Sequence, residues 1–493
     1  MTTVDFFKSD FQATLFPLKT NLFMVESHSV EISKYINEKI LKEDVESDNF
    51  LSQQKVYATK PRGHLRRTVK LDPVAEYFIY DLVYRNRAIF RPEVSVARRS
   101  FGYRFKDGSH IPVHVAYREY KDALTEGESK HKHKIQFDVA SYFNSIYHHD
   151  LAHWFGSHEK VTALDSNAFG KYIREINSGR SVDFLPQGIY PCKMLGNEFL
   201  KYIDLSKFVK SSLIVRFMDD FTLFDDDPSV LQQDFIRIQH LLGQNGLNVN
   251  PSKTHYDKPL GNVQETLSDL HSSLLEIVHE IKFIPTASGV QIVEEEEEVE
   301  SNLSHGQIDA LLVLLKDENL DESDAERILF FLRSYSDSVL AQIPALLMRF
   351  PNLIKQIHTI CGTVTEKEDL AAVMFNYLKE ESFFLEYQLF WIACIVEDFL
   401  IGCKCYGDIL LRLYELTSDF KIARSKILEI PEQGFGFKEI RSEFLKNGQS
   451  DWLSWASAIG TRTLKPAERN YLLDYFSKGS ALNFLVAECA KKL

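Results

Sequence analysis

The rhythm of apolar residues changes partway along this chain. In the first half, short apolar runs alternate with turn-forming clusters, which predicts strands. Ile135-Gln136-Phe137-Asp138-Val139 is such a run and carries one acid. Leu213-Ile214-Val215 and Phe221-Thr222-Leu223-Phe224 are two more, and Phe217-Met218-Asp219-Asp220 between them predicts the tight turn of a β-hairpin. Beyond residue 305 the period becomes helical, with Ile308, Leu311, Leu312 and Leu315 on one face. Ser323 with Glu326, and Thr365 with Glu368, have capping-box spacing ahead of further apolar stripes. About twelve helices at ~15-residue intervals predict two-helix units of about 30–40 residues. A HEAT-like stack and an irregular helical domain both fit that pattern.

The break between these regimes falls near residues 285–305. Pro285-Thr286-Ala287-Ser288-Gly289 is turn-rich, and Glu294 to Glu298 is an unbroken acidic run. The expected division is an N-terminal helical segment over 1–50, an α+β unit over 51–285, an acidic linker over 286–304 and an all-α domain over 305–493. A chain of 493 residues with 44% apolar content has ample material for two or three cores. No apolar run reaches the ~18 residues of a membrane span, and the start Met1-Thr2-Thr3-Val4-Asp5 lacks the pattern of a secretion signal. The expectation is a cytoplasmic protein with no membrane partner. Six cysteines suggest a reducing compartment. Cys403-Lys404-Cys405, His131-x-His133 and His148-His149 are read as ordinary core or surface residues, not zinc ligands.

The net charge of −13 is unevenly spread. Residues 1–260 carry 35 basic and 33 acidic side chains, so the acid excess lies in the second half. Residues 51–100 hold eleven Lys or Arg against four acids. Such a block suits phosphate contacts that do not read sequence.

A hairpin tip that displays carboxylates is costly unless a cation binds there. Mg²⁺ is the natural candidate, because it takes carboxylate oxygens and keeps other positions for phosphate and water. Asp138 closes one strand and Asp219-Asp220 tips a hairpin, so acids from separate strands can converge. Between them lie Leu185-Pro186-Gln187-Gly188 and Leu195-Gly196-Asn197-Glu198-Phe199-Leu200, and after them Gly246-Leu247-Asn248-Val249-Asn250-Pro251-Ser252-Lys253-Thr254.

This order of segments resembles motifs A to D of the reverse transcriptase palm, over about residues 55–260. Lys60-Pro61-Arg62-Gly63-His64-Leu65-Arg66-Arg67 resembles the fingers motif that grips a triphosphate, and Ser100-Phe101-Gly102-Tyr103-Arg104 the next one. The implied fold is α+β, a right-hand-type fingers and palm followed by the all-α domain. The resemblance implies two-metal nucleotidyl transfer of dNTPs. Its two Mg²⁺ ions, replaceable by Mn²⁺, would be held by Asp138, Val139, Asp219 and Asp220. Lys253 would protonate departing pyrophosphate. Substrate contacts would come from Lys60, Arg66, Arg67, Arg104, Gln187 and Gly188. Phe143, five places after Asp138, would exclude a ribose 2′-OH. Cys192 stands where the family usually has Ser, a mild departure because the side chain stays small.

A reverse transcriptase core with a long, acidic, helical C-terminal domain resembles the bacterial abortive-infection and defence-associated reverse transcriptases. That resemblance implies antiphage defence and homo-oligomers. It also implies DNA synthesis on an RNA template or without one, with the product attached to a protein hydroxyl in some members and a partner noncoding RNA in others. Two alternatives stand beside it. One is a retron-like enzyme copying a fixed noncoding RNA; the other is a non-catalytic scaffold with a polymerase fold.

Overall fold

The computed structural model describes residues 1–42, 47–60, 63–90, 95–106, 108–180, 185–256, 283–286, 289–292, 303–317, 320 and 322–493. Two strands, β1 (Gln54–Thr59) and β2 (Leu65–Lys70), form an antiparallel hairpin. β3 (Arg98–Phe101) follows, then the short pair β4 (Phe105–Lys106) and β5 (Ser109–His110). β6 (His133–Asp138), β7 (Leu213–Phe217), β8 (Asp220–Asp225) and β9 (His255–Tyr256) join β3 in a five-stranded sheet of order β3-β7-β8-β6-β9. β3 and β7 run parallel and the other neighbours antiparallel.

Two helices pack on opposite faces of the sheet, one meeting Phe217 and Phe224, the other meeting Phe137 through Phe235. Val113–Lys130 packs on β3 and β7, and Pro228–Gln244 packs on β6 and β8. Gly127 permits the first contact, since a Cβ there would sit 2.7 Å from the Phe224 ring. Phe137 and Phe221, paired across β6 and β8, stack with centroids 5.2 Å apart. Cross-strand aromatic pairs of this kind set register. Here they bring Asp138 opposite Asp220 at one end of the sheet.

Residues 1–50 do not stand apart as a separate segment. Helix Thr3–Phe11 and helix Lys19–Tyr35 pack on helix Pro73–Arg85, and Phe6 lies among Tyr80, Phe105 and Tyr190. The expected linker also differs from expectation. Phe283–Thr286 and Gly289–Ile292 pair as antiparallel strands, because these two short runs satisfy each other's backbone groups. The acidic run at 294–298 lies outside the described residues.

From residue 305 the described chain is helical, and its helices stack in two rows. In one row Ile354–Thr363, Glu386–Ile395, Lys421–Glu429, Trp452–Gly460 and Ala481–Lys492 each pack on the next. In the other, Ile343–Arg349, Lys367–Glu380 and Tyr406–Leu416 do the same, and so do Phe437–Lys446 and Pro466–Phe476. Hydrogen bonds between units repeat the spacing: Thr363 to the Arg333 carbonyl, Arg412 to that of Leu378, and Ile422 N–H to Glu386 span 30, 34 and 36 residues. The expected two-helix unit is therefore present as a stack. The expected caps differ in detail. Helix Glu322–Phe331 begins one residue before Ser323, whose side chain lies outside the described residues. Thr365 gives its hydroxyl and its N–H to Asp337, at 2.8 Å each, instead of capping its own helix.

The stack folds back onto the first half. Helix Glu386–Ile395 lies against β1, and Trp452–Gly460 and Ala481–Lys492 lie against helix Lys19–Tyr35. Phe16 meets Tyr387 and Phe390 edge-on, at 5.8 and 5.2 Å.

Candidate active site

The acidic hairpin is a two-residue turn, Met218-Asp219, with Phe217 paired to Asp220. Met218 has φ 57°, a strained value for a side-chain-bearing residue. Its surroundings hold it there. Arg216, fully buried in β7, donates to the Met218 carbonyl at 2.8 Å and to Asp204 through Nε at 3.0 Å. Gly102 lies beside this turn with φ 126°, and a Cβ there would lie 3.2 Å from Asn197 Oδ1 and 3.4 Å from the Met218 sulfur. Val139 N–H donates to the Asp219 carbonyl at 3.2 Å, tying the turn to the end of β6. Arg216 escaped the sequence reading; its signal was one arginine inside the apolar run just before the turn.

The Gly246–Thr254 segment completes the edge. Ala140 N–H donates to the Asn248 carbonyl at 2.7 Å, and Asn250 N–H to the Asp138 carbonyl at 2.9 Å. Asn250 then caps the turn Pro251–Lys253, and Lys253 Nζ reaches Asp138 Oδ2 at 2.7 Å. Burial alone would lower the Lys253 ammonium, but Asp138, Asp220 and Asp219 outweigh it and raise it. Asp138 is buried, and its Oδ1 has no hydrogen-bond partner. Asp219 is half-buried and Asp220 exposed. Both carboxyls are held above the ordinary carboxylate value, first because surrounding protein displaces water, then because neighbouring acids repel them; Asp220 is pushed up to about 7.

Among the described residues the acids do not converge into a ready three-ligand metal cluster, and Lys253 occupies one oxygen of Asp138. The donor set nevertheless fits a hard divalent cation. It consists of carboxylate oxygens, one of them orphaned in a buried position, beside acids whose charges repel. Asp138, Asp219 and Asp220 are the side chains that would hold it. Val139 has no side-chain donor atom, so it can offer only its carbonyl.

The fingers-like hairpin faces this cluster. Alternation along β2 sends Arg66 and Arg67 to opposite faces. Arg66 interacts with Asp219, and its Nε is buried without a hydrogen-bond partner. Lys60, at the hairpin tip, interacts with Asp219 and Asp138 and bonds through its N–H to the His64 carbonyl at 2.7 Å. Arg104 is placed differently from expectation. It is buried, paired with Glu119 and bonded to the Ser100 carbonyl, so burial has turned this cation into a strut.

Phe143 is buried in the turn Tyr142–Asn144, against Gly196, where a Cβ would lie 3.2 Å from the ring. Tyr142 next to it donates its hydroxyl to the Gly196 carbonyl at 2.6 Å, which makes Tyr142 the structural partner of the two. Gln187 exchanges two bonds with Thr68 of β2, at 3.0 and 3.1 Å. Gly188 has φ 96° and its close neighbour is Leu15, whose Cγ would lie 2.5 Å from a Cβ there. Sequence reasoning expected that close approach from a nucleotide; in this structure it comes from the N-terminal segment.

Residues 92–276 match the reverse transcriptase (RNA-dependent DNA polymerase) family. The chain carries a reverse transcriptase domain. The match indicates RNA-directed DNA polymerase activity and spans under half of the chain. Asp138, Phe143, Gln187, Gly188, Asp219, Asp220 and Lys253 fall inside it, whereas Lys60 and Arg66 precede it. No curated protein matches the chain. Two telomerase structures overlap it at low similarity. That of Candida albicans, in complex with a TWJ fragment of telomeric RNA, is 12% identical with a TM-score of 0.28, covering 87% of this chain and 70% of that one. Apo telomerase of Candida tropicalis is 14% identical with a TM-score of 0.29, covering 78% and 73%. The family match therefore carries the assignment. Among the described residues, no helix is long and apolar enough to cross a membrane.

Proposed function

We propose that the domain polymerises deoxynucleotides with two Mg²⁺ ions at Asp138, Asp219 and Asp220. The observation that carries this is the placement of Asp138 from one strand beside Asp219-Asp220 of the hairpin at one sheet end, with a buried carboxylate oxygen left unpartnered and Lys60 and Arg66 across from them. Held by these carboxylates, the metals would supply the charge neutralisation that phosphoryl transfer needs. Arg66 and Lys60 bind triphosphate oxygens. Lys253, released from Asp138 when the site loads, donates a proton to pyrophosphate. Phe143 selects the deoxy sugar. RNA is the template class that the family match favours, and Mn²⁺ can replace Mg²⁺.

The proposed biological role is antiphage defence by abortive infection. It rests on architecture, a reverse transcriptase core joined to a long helical stack. The test is DNA synthesis by the purified protein with Mg²⁺ and single labelled dNTPs, without added primer or template, beside Asp219→Asn. Homopolymeric or protein-linked DNA from the wild type alone supports a defence-type polymerase. Synthesis only with a primed or co-purified RNA moves the reading to a retron-like enzyme. Equal synthesis by both proteins refutes the metal site.

A further inference from the structure

Two helices in this protein take their N-terminal caps from distant parts of the chain. Helix Tyr190–Phe199, which follows Gln187-Gly188, has no cap from its own Ile189. Its first N–H donates to Asp10 Oδ2 at 2.7 Å, and Tyr80 donates its hydroxyl to the same oxygen at 2.5 Å. Helix Lys19–Tyr35 likewise has no cap from Leu18. Its cap is Glu429 of the helical stack, which accepts from Lys19 N–H at 3.0 Å, Thr20 N–H at 3.1 Å and the Thr20 hydroxyl at 3.1 Å. Uncapped helix N–H groups are costly when buried, so each borrowed carboxylate ties two parts of the chain together.

The segment between these caps is wedged. Leu15 fills the space beneath Gly188, and Phe16 turns the other way into Tyr387 and Phe390. Leu15 and Phe16 also line a cavity of about 20 Å³ with Val69, Pro186, Gln187 and Gly188, room for about one water. Glu429 itself is fully buried and fixed by Lys426 at 2.9 Å, and Lys426 is fixed by Glu397 at 2.6 Å. A continuous path of packed groups thus runs from the stack, through residues 10–20, to the Gln187-Gly188 turn.

We propose that Leu15 and Glu429 are positioning residues for the Gln187-Gly188 turn, so that the helical stack sets the floor of the nucleotide pocket. This rests on the polymerase reading for its catalytic consequence, but its structural half does not. The experiment uses the full chain as wild type, Leu15→Ala and Glu429→Gln. It follows amide hydrogen exchange in the peptide spanning 185–195, with the peptide spanning 213–225 as internal control, and measures dNTP KM and kcat on a primed RNA. The expected result is about tenfold faster exchange over 185–195 with 213–225 unchanged, and a KM raised about fivefold with kcat within about twofold. The double variant Leu15→Ala/Gly188→Ala should recover part of the activity lost in Gly188→Ala, because the clash is removed while the backbone strain remains. Unchanged exchange over 185–195, or a rise shared equally by 213–225, overturns the proposal. If the wild type makes no DNA, the polymerase reading fails, and the exchange contrast alone then decides the positioning role.

Discussion

The sheet end and the helical stack treat buried charge in opposite ways. At the sheet end, Asp138, Asp219 and Asp220 crowd together with one cation, Lys253, bonded among them and one buried oxygen unpartnered. Where the stack meets helix Lys19–Tyr35, Lys19, Glu397, Lys426, Glu429 and Arg462 alternate in sign through contacts of 2.6 to 3.3 Å. Glu397 is held below its ordinary value, although burial alone would raise it, because Lys426 and Lys19 outweigh that cost. Lys426 is held well above its own, against burial, by Glu429 and Glu397. Repelling acids with a single cation among them and one oxygen left bare leave charge for a ligand to neutralise. Fully paired buried charges mark architecture, and they dictate how the two halves dock.

The contrast is open to direct attack. The largest effect expected is on catalysis. Asp219→Asn should cut DNA synthesis by about 10³-fold or more while thermal unfolding stays cooperative, as steady-state assays and calorimetry would register. Retained activity would remove the sheet end from the comparison. Next comes Lys426→Met, which leaves Glu397 and Glu429 buried with their central cation gone. It should destabilise the protein by about 3–5 kcal/mol in urea titration. In the wild type the Glu397 contribution should be present above the ordinary glutamate value and lost as pH falls through its lowered one.

Two smaller effects sharpen the picture. Phe143→Ala should lower discrimination against ribonucleotides about 10–100-fold in single-nucleotide incorporation. Unchanged selectivity would make Phe143 a core residue only. Asp220→Asn should stabilise the metal-free protein. The wild-type carboxyl is pushed up to about 7, so its cost to folding grows as pH rises above the ordinary aspartate value and levels off above about 7. The variant should therefore gain about 1 kcal/mol at pH 8, discounted for the water that reaches Asp220, and the gain should vanish toward pH 4. Mg²⁺ should raise the melting temperature of the wild type more than that of the variant.

The elements that carry the candidate site were legible beforehand because they are local. The strand ending at Asp138, the hairpin carrying Asp219-Asp220 and the turn delivering Lys253 each announce themselves through alternation and turn residues within ten positions. The helical rhythm past residue 305 was legible for the same reason. Arg104 was misread because nothing nearby in sequence reveals that Glu119 will meet it in a buried place. Gly188 was half-read: the need for a glycine was visible, but its neighbour Leu15 lies 173 positions upstream. Thr365 looked like a cap until Asp337 claimed it.

By itself, then, the sequence determined the strands, the helices, the acids and the repeat length, since hydrophobic period and turn chemistry act over a few residues. Only the tertiary structure decided which charges are neutralised. It pairs Lys426 with glutamates, ties Lys253 to Asp138, leaves Asp138 Oδ1 bare and lends Glu429 to a helix near the opposite end of the chain. Those outcomes depend on desolvation and distance between segments far apart in sequence, and both quantities come into being only when the core closes.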